Sequence, residues 1–288
     1  MTILRVESVT HGVEDLDAGI RFYEDWGIPC VHRGAHGADF ALPSGQTLRV
    51  RPANDASLPS TSERGSTVRE AIWGVDHLSA LDAIADDLSR DRDIKRDSEG
   101  VLHTRDPNGF AIGFRLARLN TEPGMPLPAR LNRPFHMPTK AVPKRIGHIV
   151  YFSSRVNERE VAEFYMRRLS FRLTDHSLDL GYFMRAAGAR DHHTIGVFGF
   201  LDRTCFGHLA FEVDSVDEVL AGGAFMQSHR WQRVGTAGRH IVGSNVFCNF
   251  KNPNGGQAEY FYDMDVMDDD WQPRVFEKHP GLAYWTLG

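Results

Sequence analysis

Two stretches of this chain follow one plan, and that repetition narrows the folds open to it more than any other feature. The first begins with an apolar run, Leu4 to Val9, and passes into DLDAGIRFYEDWG. There Leu16, Ile20, Tyr23 and Trp26 fall on one helical face, and Asp15 stands where an N-cap belongs. The second begins with IGHIVYF and passes into EREVAEFYMRRLSF, where Val161, Phe164, Tyr165 and Leu169 share a face. Each helix carries a Phe-Tyr pair, and a Gly- and aromatic-rich stretch suited to short strands follows each. The plan then recurs within each stretch. IWGVDHLSALDAIADDL gives a strand and a helix with Leu81, Ile84 and Leu88 inward; HLAFEVDSVDEVLAGG gives the same, with Ser215 and Glu218 as a capping box. RDPNGFAIGF (105–114) and KNPNGGQAEYF (251–261) close the two stretches. Asn-Gly between strand-like runs marks a hairpin.

The expected fold is therefore α+β, with four βαβββ units, two in each of two domains. The 288 residues are enough for two domains of ordinary size. The expected boundaries are an N-terminal domain over 1–119, a linker over 120–144, a C-terminal domain over 145–266 and a tail over 267–288. The linker is marked by Pro123, Pro126, Pro128, Pro134, Pro138 and Pro143. A hydrophobic share of 41% and a charged share of 25% suit a soluble globular protein. The net charge of -5 comes from mixed charges without long runs, which argues against nucleic acid or a membrane surface as partner. No apolar stretch approaches 18 residues, so neither a membrane span nor a signal peptide is expected. Cys30, Cys205 and Cys248 are too few and too scattered for a disulfide framework, and fit a reducing cytoplasm.

The repeat also serves as an internal control. In the first strand, His148 of the second copy lines up with Ser8 of the first. His208 lines up with Ala71. Glu259 lies six residues after Pro253, as Gly113 lies six after Pro107. One copy offers His, His and Glu; the other offers Ser, Ala and Gly. Packing needs are alike in both copies, so packing alone does not gather three strong ligands in one of them. Two imidazoles and a carboxylate on one face of a cation form the facial triad of non-haem Fe(II) enzymes, with the remaining positions open. Each ligand also has apolar strand neighbours, where an uncompensated carboxylate is costly and a cation removes the cost.

At these residues the chain resembles the two-domain type I extradiol dioxygenases of the vicinal oxygen chelate superfamily. The resemblance runs over about residues 3–265, weakly in the first half and specifically in the second. It implies two vicinal oxygen chelate domains, each a curved mixed sheet around a central cavity, with the metal in the C-terminal one. It implies Fe(II), or Mn(II), held by His148, His208 and Glu259. The HHT string at 192–194 carries over His193, fifteen residues before His208, as the acid/base residue near the O2 site. The GRH string at 238–240 carries over His240, nineteen residues before Glu259, as a hydrogen-bond partner of a substrate oxygen. Asn249 stands four residues before the hairpin proline, where the family usually has a tyrosine that contacts the substrate. An Asn amide donates a hydrogen bond there, but it is shorter and does not ionise. The resemblance implies a catechol-type diol and O2 as substrates, a place in aromatic catabolism and a homo-oligomer.

Two other readings remain open in the sequence. A redox-neutral isomerase or lyase on the same scaffold is favoured by Asn249 and disfavoured by His193 and His240. A ligand-sequestering protein without catalysis has no need of the complete triad. Tyr182, Phe183 and Phe198 are the expected aromatic lining of a pocket beside the metal. The tail is expected to cover a sheet edge rather than to act as a lid.

Overall fold

A computed structural model describes residues 2–118, 138–199 and 203–287. The first half runs β1 (Ile3–Val13), α1 (Leu16–Trp26), β2 (Cys30–Gly34), β3 (Gly37–Ala41) and β4 (Thr47–Pro52). It continues with β5 (Thr67–Val75), α2 (Leu78–Leu88), β6 (Lys95–Arg96), β7 (Leu102–Arg105) and β8 (Ala111–Leu116). The second half opens with β9 (Arg145–Phe152), α3 (Glu158–Arg168), β10 (Arg172–Ser177), β11 (Gly181–Arg185) and β12 (Ile195–Phe198). Then come β13 (Cys205–Glu212), α4 (Val216–Ser228), β14 (Arg233–His240), β15 (Val246–Lys251) and β16 (Gln257–Tyr262). Each half is thus two βαβββ units, as the repeat implied. Residues 120–137 of the expected linker lie outside the described residues.

Among the described residues the first half forms an eight-stranded sheet in the order β2-β3-β4-β1-β5-β8-β7-β6. The second follows the same order, and the tail adds β17 (Arg274–Phe276) beside β10 and β18 (Ala283–Thr286) beside β14. Both outer edges of the ten-stranded sheet are therefore tail strands, which agrees with the expected edge cover.

Local chemistry explains where the helices start. Asp15 Oδ1 accepts from Ala18 N at 2.9 Å and opens α1; Gly27, at φ 95°, ends it. The helix buries Ile20, Phe22, Tyr23 and Trp26, each worth roughly 1.5–3 kcal/mol when fully removed from water. Ser215 Oγ accepts from Glu218 N at 3.1 Å, but Glu218 reaches Asp214 N at 3.4 Å rather than the Ser215 amide. Only half of the expected capping box forms.

The repeated motifs interlock across the two halves. Asn252, in the second hairpin, donates to the Tyr23 hydroxyl of α1 at 3.2 Å. Tyr165 of α3 donates to Asp106, in the first hairpin, at 3.3 Å. Each half's Phe-Tyr helix is thus fastened by the other half's Pro-Asn-Gly hairpin. Trp26 stacks on Tyr260 at 3.7 Å, and the Tyr260 hydroxyl donates to the Trp26 carbonyl. Gly255 has φ 107°, and a Cβ there would sit 2.6 Å from the Ser66 carbonyl oxygen, so only glycine lets this hairpin close on the first half. Gln46 accepts from Ile146 N and donates to the Val6 and Ile146 carbonyls, joining β1 to β9.

Candidate metal centre

Three adjacent strands place the three expected ligands. On β13, Ala210 pairs with His148 of β9 on one side and with Glu259 of β16 on the other. Glu259 pairs in turn with Asn249 of β15. Directly paired residues point to one face, so His148, Ala210, Glu259 and Asn249 form a row across the sheet. His208 lies two residues from Ala210 and shares that face. The short Ala210 side chain leaves space between the flanking ligands.

The ligand atoms converge. His148 Nε2 lies 3.1 Å from His208 Nε2 and 3.7 Å from Glu259 Oε1; His208 Nε2 lies 3.9 Å from Glu259 Oε2. All three fall within 4.8 Å of one another. Two nitrogens bound to one cation at about 2.1 Å and at right angles would be about 3 Å apart, close to the separation found. His148 and Glu259 are buried, and His148 Nδ1 has no hydrogen-bond partner among the described residues. Burial first, and then the neighbouring imidazoles, push His148 well below the ordinary histidine range; burial likewise lowers His208. Both therefore offer neutral rings, the form that binds a metal. Burial acts to raise Glu259, but its polar surroundings, His240 and His208 among them, outweigh this and hold the carboxyl below its ordinary value. Two neutral nitrogens and a buried carboxylate are a donor set that fits one divalent ion.

The site faces a cavity of about 590 Å³, which His193, His240, Asn249 and Asn245 also line. His193 packs on His148 with ring centroids 4.3 Å apart, and burial together with the surrounding imidazoles lowers its pKa. His240 stacks on Phe247 at 3.8 Å, and its Nδ1 lies 2.9 Å from the Leu282 carbonyl. A carbonyl only accepts, so His240 Nδ1 carries a proton, and in the neutral ring Nε2 is then an acceptor, 3.8 Å from Glu259 Oε2. Asn249 donates to Gln257 at 3.4 Å, and its Oδ1 has no partner among the described residues. All six sequence-expected site residues are brought together on this cavity.

Several residues escaped the sequence reading. Asn245, fully buried, donates to Glu259 at 3.3 Å, and its backbone carbonyl accepts from His240 N. His279 and Leu282 of the tail line the cavity. The expected aromatic lining is right for Phe183 and Phe198 and wrong for Tyr182. Tyr182 alternates to the opposite face of β11, where it stacks on His176 at 3.9 Å.

The first half carries a corresponding row, with one correction. Ser8 pairs with Ile72, Ile72 with Gly113 and Gly113 with His103. Ser8 and Gly113 thus match His148 and Glu259 as expected, but the match to His208 is Glu70, two residues before Ile72, and not Ala71. Glu70 Oε1 lies 2.7 Å from His103 Nδ1, with Asp97 3.2 Å from the other ring nitrogen. The first half closes its charges as an ion-pair cluster, whereas the second converges its charges on a common centre.

Comparison with known proteins agrees with this architecture. Two βαβββ-paired sheets are the fold shared by glyoxalase and extradiol dioxygenase structures. The solved structures include the Mn(II)-bound glyoxalase from Novosphingobium aromaticivorans, with TM-score 0.76 and 23% identity over 97% of this chain and 89% of that one. A halotolerant catechol dioxygenase matches with TM-score 0.78 and 15% identity over 99% and 94%. Homoprotocatechuate 2,3-dioxygenase from Arthrobacter globiformis matches with TM-score 0.75 and 17% identity over 97% and 86%. A curated relative, metapyrocatechase 2 of Cupriavidus necator, is 28% identical over 191 residues, which is 62% of this chain and 58% of that protein's length. No family model matches the chain.

Proposed function

We propose that this chain is an Fe(II)-dependent extradiol dioxygenase that opens the ring of a catechol-type diol with O2. The observation that carries the reading is the convergence of His148, His208 and Glu259 on a cavity that His193 and His240 also face. The likeness to metapyrocatechase 2 supports it. Iron bound at this triad would chelate both oxygens of a vicinal diol and exchange single electrons with O2; manganese is the alternative ion. His193, His208 and Glu259 are proposed in the roles that the resemblance implied, and so are His148 and His240.

The chain's own residues prepare the reaction in three ways. In the neutral His240 ring, Nε2, opposite the Nδ1–H held by the Leu282 carbonyl, accepts from a diol hydroxyl and orients the substrate ring. His193, beside the metal ligands, exchanges a proton with an oxygen in the cavity. Val150, Phe183, Phe198, Val242 and Phe247 keep water from the ring. No Lys or Arg among the described residues lines the cavity. The favoured substrate is therefore a diol with an uncharged, apolar substituent, for which Asn249 supplies an amide contact in place of an ionisable phenol. Such a compound fits aromatic catabolism in the cytoplasm.

Protein loaded anaerobically with Fe(II) and then exposed to air should turn apolar 3- or 4-substituted catechols into yellow ring-opened products. Carboxylated catechols should react at least tenfold more slowly in kcat/KM, since a buried carboxylate would lack a cation. Equal rates for both would refute the substrate class.

A second reading has two observations in its favour: Asn249 and the likeness to a Mn(II)-bound glyoxalase. A redox-neutral isomerase or lyase would use the same ligands and consume no O2 with any diol.

A further inference from the structure

His193 ends a chain of hydrogen-bonded groups that begins at an exposed arginine of the tail and runs inward through buried side chains. Arg274 of β17 pairs with Asp175 of β10. Its guanidinium grips that carboxylate with Nε to Oδ1 at 2.9 Å and Nη2 to Oδ2 at 2.5 Å, and its backbone N–H donates to Oδ1 at 3.2 Å. Asp175 Oδ2 also lies 2.8 Å from His192 Nε2, and His192 Nδ1 lies 3.1 Å from His193 Nδ1. Asp175 and His192 are fully buried. The His192 backbone N–H is tied to the Asp265 carbonyl, and Phe183 packs edge-on against both histidine rings.

The donor inventory of these groups leaves one arrangement. A carboxylate only accepts, so His192 must donate from Nε2. A neutral imidazole has a single N–H, so His192 Nδ1 is an acceptor. The nitrogen facing it, His193 Nδ1, must then donate. The competing arrangement makes His192 a cation that donates from both nitrogens. Arg274 already balances the Asp175 charge, so a buried imidazolium at His192 would have no counter-charge of its own.

We propose that Asp175 and His192 are positioning residues that lock His193 in its Nδ1–H form, so that Nε2 meets the cavity as an acceptor. Arg274 anchors the arrangement from the tail. The use of that acceptor towards a diol hydroxyl rests on the dioxygenase reading; the tautomer itself does not.

The test is long-range ¹H–¹⁵N correlation on metal-free protein labelled with ¹⁵N-histidine, which distinguishes the two neutral ring forms. Wild type should show His193 as Nδ1–H and His192 as Nε2–H. In His192→Phe, the His193 signals should lose that preference. In His192→Gln, the amide oxygen can accept from Nδ1–H, and the preference should return. An Nε2–H form of His193 in wild type would overturn the proposal, and so would unchanged His193 signals in His192→Phe. If His192→Phe does not fold, the wild-type and His192→Gln spectra still decide the matter. With Fe(II)-loaded protein and an apolar catechol, His192→Phe should lower kcat roughly tenfold or more with KM within about twofold, and His192→Gln should recover most of it. Equal losses in both variants would contradict a positioning role. Should wild type open no diol while the expected tautomers are found, the dioxygenase reading fails and the tautomer lock stands.

Discussion

Glu259 is the anion of the site, and its replacement separates metal binding from packing. Glu259→Ala should cut retained metal, measured by elemental analysis after desalting, by roughly 10- to 100-fold. Full retention would mean that another group completes the ligand set. His193→Phe should keep its metal and lose about 10²- to 10⁴-fold in turnover. Unchanged turnover would remove His193 from the chemistry. In the first half, the hydrogen bond to Glu70 leads the effects that raise His103 to about 9. A raised histidine stabilises the fold fully below its unfolded value of about 6.5, and the contribution fades as pH rises through about 9. After allowance for partial exposure it amounts to about 1 kcal/mol. Thermal midpoints of wild type should therefore fall between about pH 7 and 9 more steeply than those of His103→Gln, and parallel curves would contradict this pairing. His148, His208 and Glu259 were legible because ligand types at repeat positions are a chemical signal, whereas His193, His240 and Asn249 were named only through the family resemblance. Asp175 and the Leu282 carbonyl were not legible, because one is remote in sequence from the histidine it serves and the other is backbone.

At the scale of elements, the site depends on how closely the strands bearing it approach. Gly147 precedes His148 on β9, and a Cβ there would lie 2.2 Å from the Phe261 ring. Phe261 is buried and packs on His148 at 5.3 Å. Gly147→Ala should thus destabilise the protein by about 1–3 kcal/mol in denaturant titration and weaken metal retention as β9 shifts. A variant as stable as wild type would show that the ring has room to move. β17 and β18 cover the two edges of the second sheet, and the same segment brings Arg274 to Asp175 and the Leu282 carbonyl to His240. The edge cover was foreseeable from the need to protect strands; the two links to the cavity histidines were not. Tyr182 was assigned to the face that strand alternation gives to Phe183, whereas the match of His208 to Ala71 was one residue out. β-Bulges interrupt both β1·β5 and β9·β13, and a gapless comparison of the copies cannot follow them.

The whole molecule is held together by reciprocity between its halves. Tyr23 with Asn252 and Tyr165 with Asp106 join each helix to the opposite hairpin, and Trp26 stacks across on Tyr260. The motifs that revealed the repeat are the ones that form this junction, which is why a two-copy plan was legible without coordinates. Such a junction makes the halves unfold together. Calorimetry should give a single transition, and Tyr23→Phe or Tyr165→Phe should each cost about 1–2 kcal/mol. Two separated transitions would contradict the junction. In the function proposed above, one half of this molecule holds a redox-active ion for a vicinal diol while the other is closed by ion pairs. An oxygen electrode, with Fe(II)-loaded protein and an apolar catechol, reads this out. One O2 should be consumed per ring opened, with no uptake by Glu259→Ala. Fully iron-loaded wild type that consumes no O2 across a panel of neutral catechols would contradict that function.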